Sequence, residues 1–189
     1  GIVISTSKKA YVVLEGSGQL LRFDTGAFSQ TGSIEIGSKA RHVSLRADGA
    51  VAYVSRYITP PVPGEATAEP QTASGGAEVL VINTGAMTIA STIKLAHSDR
   101  PDGETQGRGI PNYLGAPVIS PDGTAAWVPS KQDNIARGVI RDGQPLDFQN
   151  TIRAVSSRID LAAGAEDHAA RVDHDNSSVA SAALFDNKG

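Results

Sequence analysis

Residues 115–129, which read Gly-Ala-Pro-Val-Ile-Ser-Pro-Asp-Gly-Thr-Ala-Ala-Trp-Val-Pro, contain the pattern that decides the fold. Pro121 presets the backbone for the first central position of a type I turn, Asp122 is compatible with the second, and Gly123 takes a left-handed conformation without a steric penalty. The apolar runs on either side are short, as strands are. The stretch therefore predicts a β-hairpin whose three-residue link carries a bulge.

The same layout recurs along the chain. Two apolar runs joined by a short polar turn also occupy residues 2–14 and 42–54, with turns at Lys8-Lys9 and Asp48-Gly49. A fourth copy is predicted at 171–184, where Asp175-Asn176 takes the place of Asp-Gly. Recurrence at this scale indicates a repeat architecture.

A second pattern recurs between the hairpins. It is an apolar strand that ends in Asp/Asn-Thr-Gly, a turn signal, followed by another short strand. The first strand is predicted at 20–26, 79–85 and, less clearly, 151–155; the following strand is predicted at 32–36, 91–95 and 157–161.

Each repeat thus contains four short strands and shows no helical periodicity. The predicted units are about 1–37, 40–96, 115–162 and an unfinished unit at 169–189. Four antiparallel strands per repeat are typical of the blades of a β-propeller. The fold class is therefore predicted as all-β, a β-propeller fragment of about three and a half four-stranded antiparallel blades.

Such a fragment has uncovered end faces, because closed propellers have about 4–8 blades. We expect the chain to be a piece of a longer protein, whose other blades or domains are its first partners. The end faces are predicted to expose apolar residues: Val12, Leu14, Val179 and Leu184. The residues Tyr11, Tyr53 and Trp127, at matching places in the second strands, are predicted to pack between blades.

Three insertions interrupt the repeats, at 57–76, 97–112 and 131–150. In an up-and-down blade, the loop after the second strand and the loop after the fourth emerge on one face, opposite the Asp-Gly turns. All three insertions are therefore predicted to share one face. Loops carried by a rigid scaffold are where binding is usually found.

Composition excludes several classes of function. The net charge of −3 gives no general attraction to nucleic acid. No apolar run reaches the roughly 18 residues needed to span a membrane. The absence of cysteine excludes disulfides and a Cys-x-x-Cys-His haem attachment within this segment.

The order of apolar strand, Asp/Asn-Thr-Gly, strand and Ser-Pro-Asp-Gly-x-x-x-Trp/Tyr-Val resembles the YVTN-type β-propeller repeats. The likeness is carried by 53–55, 120–123 and 127–129. It covers most of the chain apart from the insertions. It implies a propeller of the kind found in large exported bacterial proteins, and hence a periplasmic or extracellular location. Some of those propellers are joined to c-type cytochrome or peroxidase-like haem domains.

The loops that enter the innermost strands would surround the central channel. They supply the candidate ligand-binding residues, which are Arg41, His42, Asn112, Tyr113, His168 and Arg171. A polar ring of this kind suits a small ligand or a docking protein. The alternative is that these side chains satisfy backbone groups or are simply solvated.

No catalytic motif is present: the chain lacks a Gly-x-Ser-x-Gly elbow, a P-loop and a zinc-protease motif. Residues 173–176, Asp-His-Asp-Asn, contain metal-ligand types, but Asp and Asn favour turns for their own sake. We therefore assign no catalytic residue, no metal site and no cofactor to this segment. The sequence favours a non-catalytic binding module; the alternative is the propeller portion of a haem-containing redox protein whose catalytic domain lies outside the segment.

Overall fold

The computed structural model describes residues 1–65, 67, 69–135, 151–174 and 177–186. Its named elements are thirteen β-strands and one 3₁₀ turn, Thr72–Ser74. The strands are β1 Ile2–Ile4, β2 Lys9–Leu14, β3 Gln19–Asp24, β4 Ser29–Glu35, β5 Ala40–Leu45, β6 Val51–Arg56, β7 Gly76–Asn83, β8 Thr88–Ala96, β9 Ile110–Asn112, β10 Val118–Ile119, β11 Ala125–Asp133, β12 Ile152–Asp160 and β13 Ala165–His174.

The strands form three antiparallel sheets, each a simple meander. The first sheet has the order β1-β2-β3-β4, the second β5-β6-β7-β8, and the third β10-β11-β12-β13. The short strand β9 also pairs with β11, beyond the end of β10, so β9 and β10 together act as a split first strand. Three successive four-stranded meanders are the arrangement of blades in a β-propeller fragment, which confirms the predicted all-β fold class.

The hairpin turns follow the predicted chemistry. Gly49 and Gly123 have φ of 70° and 71°, and their N–H groups donate to the carbonyls of Arg46 and Ser120 at 2.8 Å. In the first sheet Lys8 takes the equivalent position with φ of 59° and donates to Ser5. The left-handed residue closes each turn, which is why glycine suits it.

The Asp/Asn turns after the third strands are also equivalent. Oδ1 of Asp24 accepts hydrogen bonds from the N–H groups of Gly26 and Ala27, each at 2.8 Å. Asp160 makes the same pair of contacts to Ala162 and Ala163 at 2.9 Å. Asp160 therefore ends a third strand, although the Thr-Gly that follows Asp24 is absent after it.

This turn corrects the predicted third unit. Residues 151–155 and 157–161 were expected to be two strands, but Ile152–Asp160 is one strand that pairs with β11 over nine residues. The fourth strand is β13, which contains Arg171–His174, the residues assigned to a fourth unit. The third unit thus extends to His174 instead of ending at 162.

The unfinished unit at 169–189 is not observed as predicted. Residues 179–184 belong to no strand; they lie beside the third sheet, where Ala180 N–H donates to Ser130 O and Ala154 N–H donates to Ser177 O, both at 3.1 Å. The predicted turn at Asp175-Asn176 falls outside the described residues.

The core consists of two apolar clusters, each between consecutive sheets. Tyr11 and Val13 of the first sheet pack against Val54 and Ile82 of the second. Tyr53 occupies the corresponding place between the second and third sheets, where it meets Ala126, Val128 and Ile159. Tyr11 and Tyr53 are 2% and 5% exposed, so the prediction that they pack between blades is confirmed.

The outer faces of the first and third sheets are less covered. Ile2 and Ile4 are 65% and 64% exposed on the first sheet. On the third sheet Trp127, the counterpart of Tyr11 and Tyr53, is half-buried and lines an apolar groove of about 280 Å³ beside Leu184. Of the four residues predicted to be exposed, Leu14, Val179 and Leu184 are exposed and Val12 is half-buried.

The two ends of each sheet differ in the connections that join its strands. The turn end carries the Asp-Gly hairpins. The insertion end is where β6 and β11 finish and where the described parts of the insertions begin. In the part of the chain that the structure covers, no helix is long and apolar enough to cross a membrane.

Candidate functional site

The insertions meet each other at the insertion end. Thr59, in the first insertion, donates from its backbone N–H to Asn112 Oδ1 at 3.0 Å and from Oγ1 to Pro111 O at 2.6 Å. Gln132, at the start of the third insertion, donates from Nε2 to Gly107 O at 2.9 Å. The described parts of all three insertions therefore form one continuous surface; residues 136–150 lie outside the described residues.

Two tyrosines from different sheets stack on this surface. The rings of Tyr57 and Tyr113 are 4.8 Å apart between centroids and are inclined by only 6°. Tyr57 follows β6 directly, and Tyr113 follows β9. Their backbones are also joined, because Leu114 N–H donates to Tyr57 O at 3.2 Å.

A cation covers each outer face of this pair. The Arg41 guanidinium carbon lies 3.3 Å from the centroid of the Tyr57 ring, and Lys131 Nζ lies 3.9 Å from that of Tyr113. Cations at these distances are attracted by the negative face of an aromatic ring. We call this four-layer arrangement, Arg41–Tyr57–Tyr113–Lys131, the tyrosine stack.

Carboxylates hold both cations in place. Arg41 Nε pairs at 2.7 Å with Glu15, which directly follows β2 of the first sheet, and Lys131 Nζ pairs with Asp133 at 2.9 Å. Asp133 also accepts a hydrogen bond from Asn112 Nδ2 at 2.8 Å. The hydrogen bonds from Arg41 hold the pKa of Glu15 below its ordinary value. The stack and its ion pairs therefore connect all three sheets.

His42 lies beside the stack. Its ring meets Tyr57 edge-on, with centroids 6.4 Å apart and planes at 65°. Burial lowers the pKa of His42, so the neutral imidazole is favoured near neutral pH. The structure thus brings together four of the six predicted residues: Arg41, His42, Asn112 and Tyr113.

The other two predicted residues, His168 and Arg171, lie elsewhere. They were expected in a loop entering an innermost strand, but they belong to β13, the outermost strand of the third sheet. Arg171 is buried there: Nη2 is 2.6 Å from Glu166 Oε1 and donates to Ala96 O at 2.7 Å. Glu166 Oε2 accepts from Ala96 N–H at 2.7 Å. This pair clamps the third sheet to the end of β8 in the second sheet.

Sequence reasoning missed Tyr57 and Lys131. Tyr57 directly follows β6, and Lys131 lies near the end of β11. Each comes four residues after an aromatic position, Tyr53 or Trp127, and Glu15 has the same spacing from Tyr11. Because Tyr57, Lys131 and Glu15 differ in chemistry, only their equal distance in sequence from an aromatic residue indicates that they occupy equivalent positions. Aligning the second strands would have placed all three at the insertion end.

The chemistry of this surface suits recognition. Tyrosine and arginine, both present in the stack, are enriched in the hot spots of protein–protein interfaces, and the rim around such hot spots is polar. Among the described residues there is no group of three or more His, Asp or Glu side chains placed to hold a metal ion. Asp173, in the motif considered for metal binding, is ion-paired with Arg153 at 2.9 Å.

Comparison with known proteins finds similarity among solved structures. No family model and no curated protein matches the chain. The chain is similar to the structure of Kuenenia stuttgartiensis hydrazine synthase, with 16% sequence identity over 94% of this chain and a TM-score of 0.43. It spans about half, 49%, of the length of that protein's chain.

Proposed function

We propose that the chain is a non-catalytic β-propeller module that binds a protein or ligand through its insertion end. The observation that carries the proposal is the tyrosine stack. Its two rings follow strands of different sheets, and ion pairs with Glu15 and Asp133 hold its cations. A surface held this firmly loses little conformational freedom when a partner binds, which favours affinity.

The partly exposed edge of the stack is the predicted contact point. Tyr113 is 37% exposed, so its ring edge and hydroxyl are open to a partner while one ring face is covered by Tyr57. Tyrosine in such a position supplies a rigid apolar surface and one polar handle. We propose a peptide or protein loop as the bound partner, within a larger exported protein of the YVTN type.

Selection from a library of displayed random peptides tests the proposal. Peptides are selected on the wild-type chain and their affinities are compared on a Tyr113→Ala variant. Hot-spot truncation costs about 2 kcal/mol or more, so affinity should fall about 30-fold. Phe28→Ala is the matched control, because Phe28 is an exposed aromatic residue in the turn between β3 and β4.

Selected peptides should bind the Phe28→Ala variant as well as they bind the wild type. Peptides that bind the Tyr113→Ala variant equally well, or that lose affinity on Phe28→Ala, would place recognition away from the stack and contradict the proposal.

A further inference from the structure

A small polar cavity lies between the second and third sheets at the insertion end. Its walls come from the second insertion and from the strands β11 and β13; they include Ser98, Arg100, Gln106, Gly107, His168 and Arg171. The volume in which the centre of a water-sized group can lie is about 20 Å³. About 10–15 Å³ of such space holds one water molecule, so the cavity admits one oxygen-sized group.

The basic side chains on the cavity wall are incompletely paired. Arg171 has its carboxylate partner, Glu166, and its side chain is only 5% exposed. Arg100 is half-buried, and its guanidinium makes no hydrogen bond or ion pair with a described residue. His168, also half-buried, makes no hydrogen bond within the same set of residues. Burial, and after it the charges of Arg171 and Arg100, lower the pKa of His168.

The single carboxylate on the cavity wall is already engaged. Asp173 pairs with Arg153 Nη1 at 2.9 Å, and both side chains are less than 10% exposed. Arg153 Nη2 donates to Gly103 O, but Arg153 Nε is buried without a partner among the described residues. Arg153 itself is not part of the cavity wall, so its pair with Asp173 neutralises the one carboxylate that the cavity presents.

Gly107, on the cavity wall, lies in close contact with the side chain of Arg153. A β-carbon on Gly107 would overlap Nε of Arg153 and come within 2.8 Å of Asp102 Oδ1. The wall at this point is backbone, and the unpaired Arg153 donor lies directly behind it. The cavity therefore combines restricted size with the side chains of Arg100 and His168, which have no hydrogen-bond partner among the described residues.

We propose that this cavity receives one oxygen atom of a carboxylate or phosphate group of a ligand, between Arg100 and His168. Arginine presents several donors in a plane that matches both groups. The site is separate from the tyrosine stack: Lys131 and Gln132 are neighbours in β11 and point to opposite faces of the sheet. The proposal therefore goes beyond the proposed function and does not depend on it.

Titration of the isotope-labelled chain with sodium acetate and with inorganic phosphate tests the site at constant ionic strength. We expect saturable shifts of the backbone amide signals of Ser98, Gln106 and Gly107. Removing one charge-assisted hydrogen bond should weaken binding roughly tenfold, so Arg100→Gln and His168→Gln should both raise Kd by about that factor. Arg100→Lys, which keeps the charge but not the planar donors, should fall in between.

Lys9→Gln is the matched control, because Lys9 is an exposed cation at the turn end of the first sheet. Saturation by acetate alone assigns a carboxylate ligand, and saturation by phosphate alone assigns a phosphate; both support the site. Linear shifts without saturation, or the same loss of affinity in Lys9→Gln, would overturn it. The spectrum of each variant reports its folding in the same experiment.

Discussion

Lys39 and Tyr113 occupy the same position in successive repeats, and both have a positive φ, 66° and 52°. Lys39 directly precedes β5, whose first residue, Ala40, is buried, and Tyr113 precedes the buried Leu114 in the segment between β9 and β10. The left-handed conformation turns the chain into the sheet at this point, and it costs a residue with a β-carbon about 1–2 kcal/mol. Lys39 carries an exposed side chain, and Tyr113 carries a ring of the tyrosine stack.

The substitution Lys39→Gly should therefore be neutral or stabilising. Relief of the left-handed strain outweighs the greater freedom of glycine in the unfolded chain, so we expect the free energy of unfolding to rise by up to about 1 kcal/mol. Tyr113→Gly relieves the same strain but removes the stack, and it should lower the free energy of unfolding. Urea denaturation measures both. A loss of more than about 1 kcal/mol in Lys39→Gly would show that its side chain has a role not seen in its contacts.

The cation on Tyr113 should be energetically coupled to the ring. In a double-mutant cycle with Tyr113→Ala and Lys131→Ala, we expect a coupling free energy of about 0.5–1 kcal/mol, the usual value for a partly exposed cation–π pair. Because the cycle cancels the separate ion pair of Lys131 with Asp133, it isolates the contact with the ring. Additive effects of the two substitutions would mean that the contact contributes nothing to stability.

Acid should destabilise the fold in the range where histidine titrates. Burial lowers the pKa of His42, His97 and His168, so the unfolded chain, with a histidine pKa near 6.5, binds protons more readily than the folded chain. Stability is therefore full above about pH 6.5 and falls as the pH drops from there toward the folded-state pKa. Each histidine contributes a slope of at most about 1.4 kcal/mol per pH unit.

His97 is the most deeply buried of these side chains, and both its ring nitrogens lack a hydrogen bond among the described residues, although Nδ1 is 3.0 Å from Asp99. His97→Gln should flatten the dependence of the urea midpoint on pH between 7.5 and 5.5. A wild-type midpoint that is constant over this range would contradict the prediction. The turn carboxylates Asp48 and Asp122, whose pKa values are lowered by hydrogen bonds, act at lower pH.

The chain should associate with itself as its concentration rises. Trp127 sits where Tyr11 and Tyr53 are covered by a following sheet, and Ile4 is 64% exposed on the opposite outer face. Exposed apolar faces of this kind favour association. Sedimentation velocity should show larger species at higher concentration, and Ile4→Glu should reduce them. Phe28→Ser, which removes an exposed ring outside the sheet face, should leave association unchanged; a monomer at all concentrations would refute the prediction.

The hairpins could be predicted because their turns are determined locally. Asp48-Gly49 and Asp122-Gly123 encode a left-handed residue next to a turn-forming carboxylate, and the apolar runs beside them have the length of strands. The strands around Asp160 could not be assigned in this way. Leu161-Ala162 replaces Thr-Gly, so the carboxylate of Asp160 alone marks this turn. Without the usual turn signal, the nine residues of Ile152–Asp160 were predicted as parts of two strands.

The site was predictable only in part for a different reason. Arg41 and Tyr113 were found because they precede or begin innermost strands, a position that the repeat defines. The contact between Tyr57 and Tyr113 joins residues far apart in sequence, and it depends on how one insertion folds over the next. His168 and Arg171 were misplaced because the strand that contains them was assigned to the wrong unit.

The packing of each sheet against the next one has an evolutionary consequence. Strand pairing and burial are settled within one repeat and its immediate neighbour, as the two separate apolar clusters show. Duplication of a single repeat in the gene would add a sheet without disturbing the existing ones. The described parts of the insertions lie at one end, so changes in their length and sequence there do not interrupt a hairpin. Scaffold and recognition surface are therefore free to evolve at different rates.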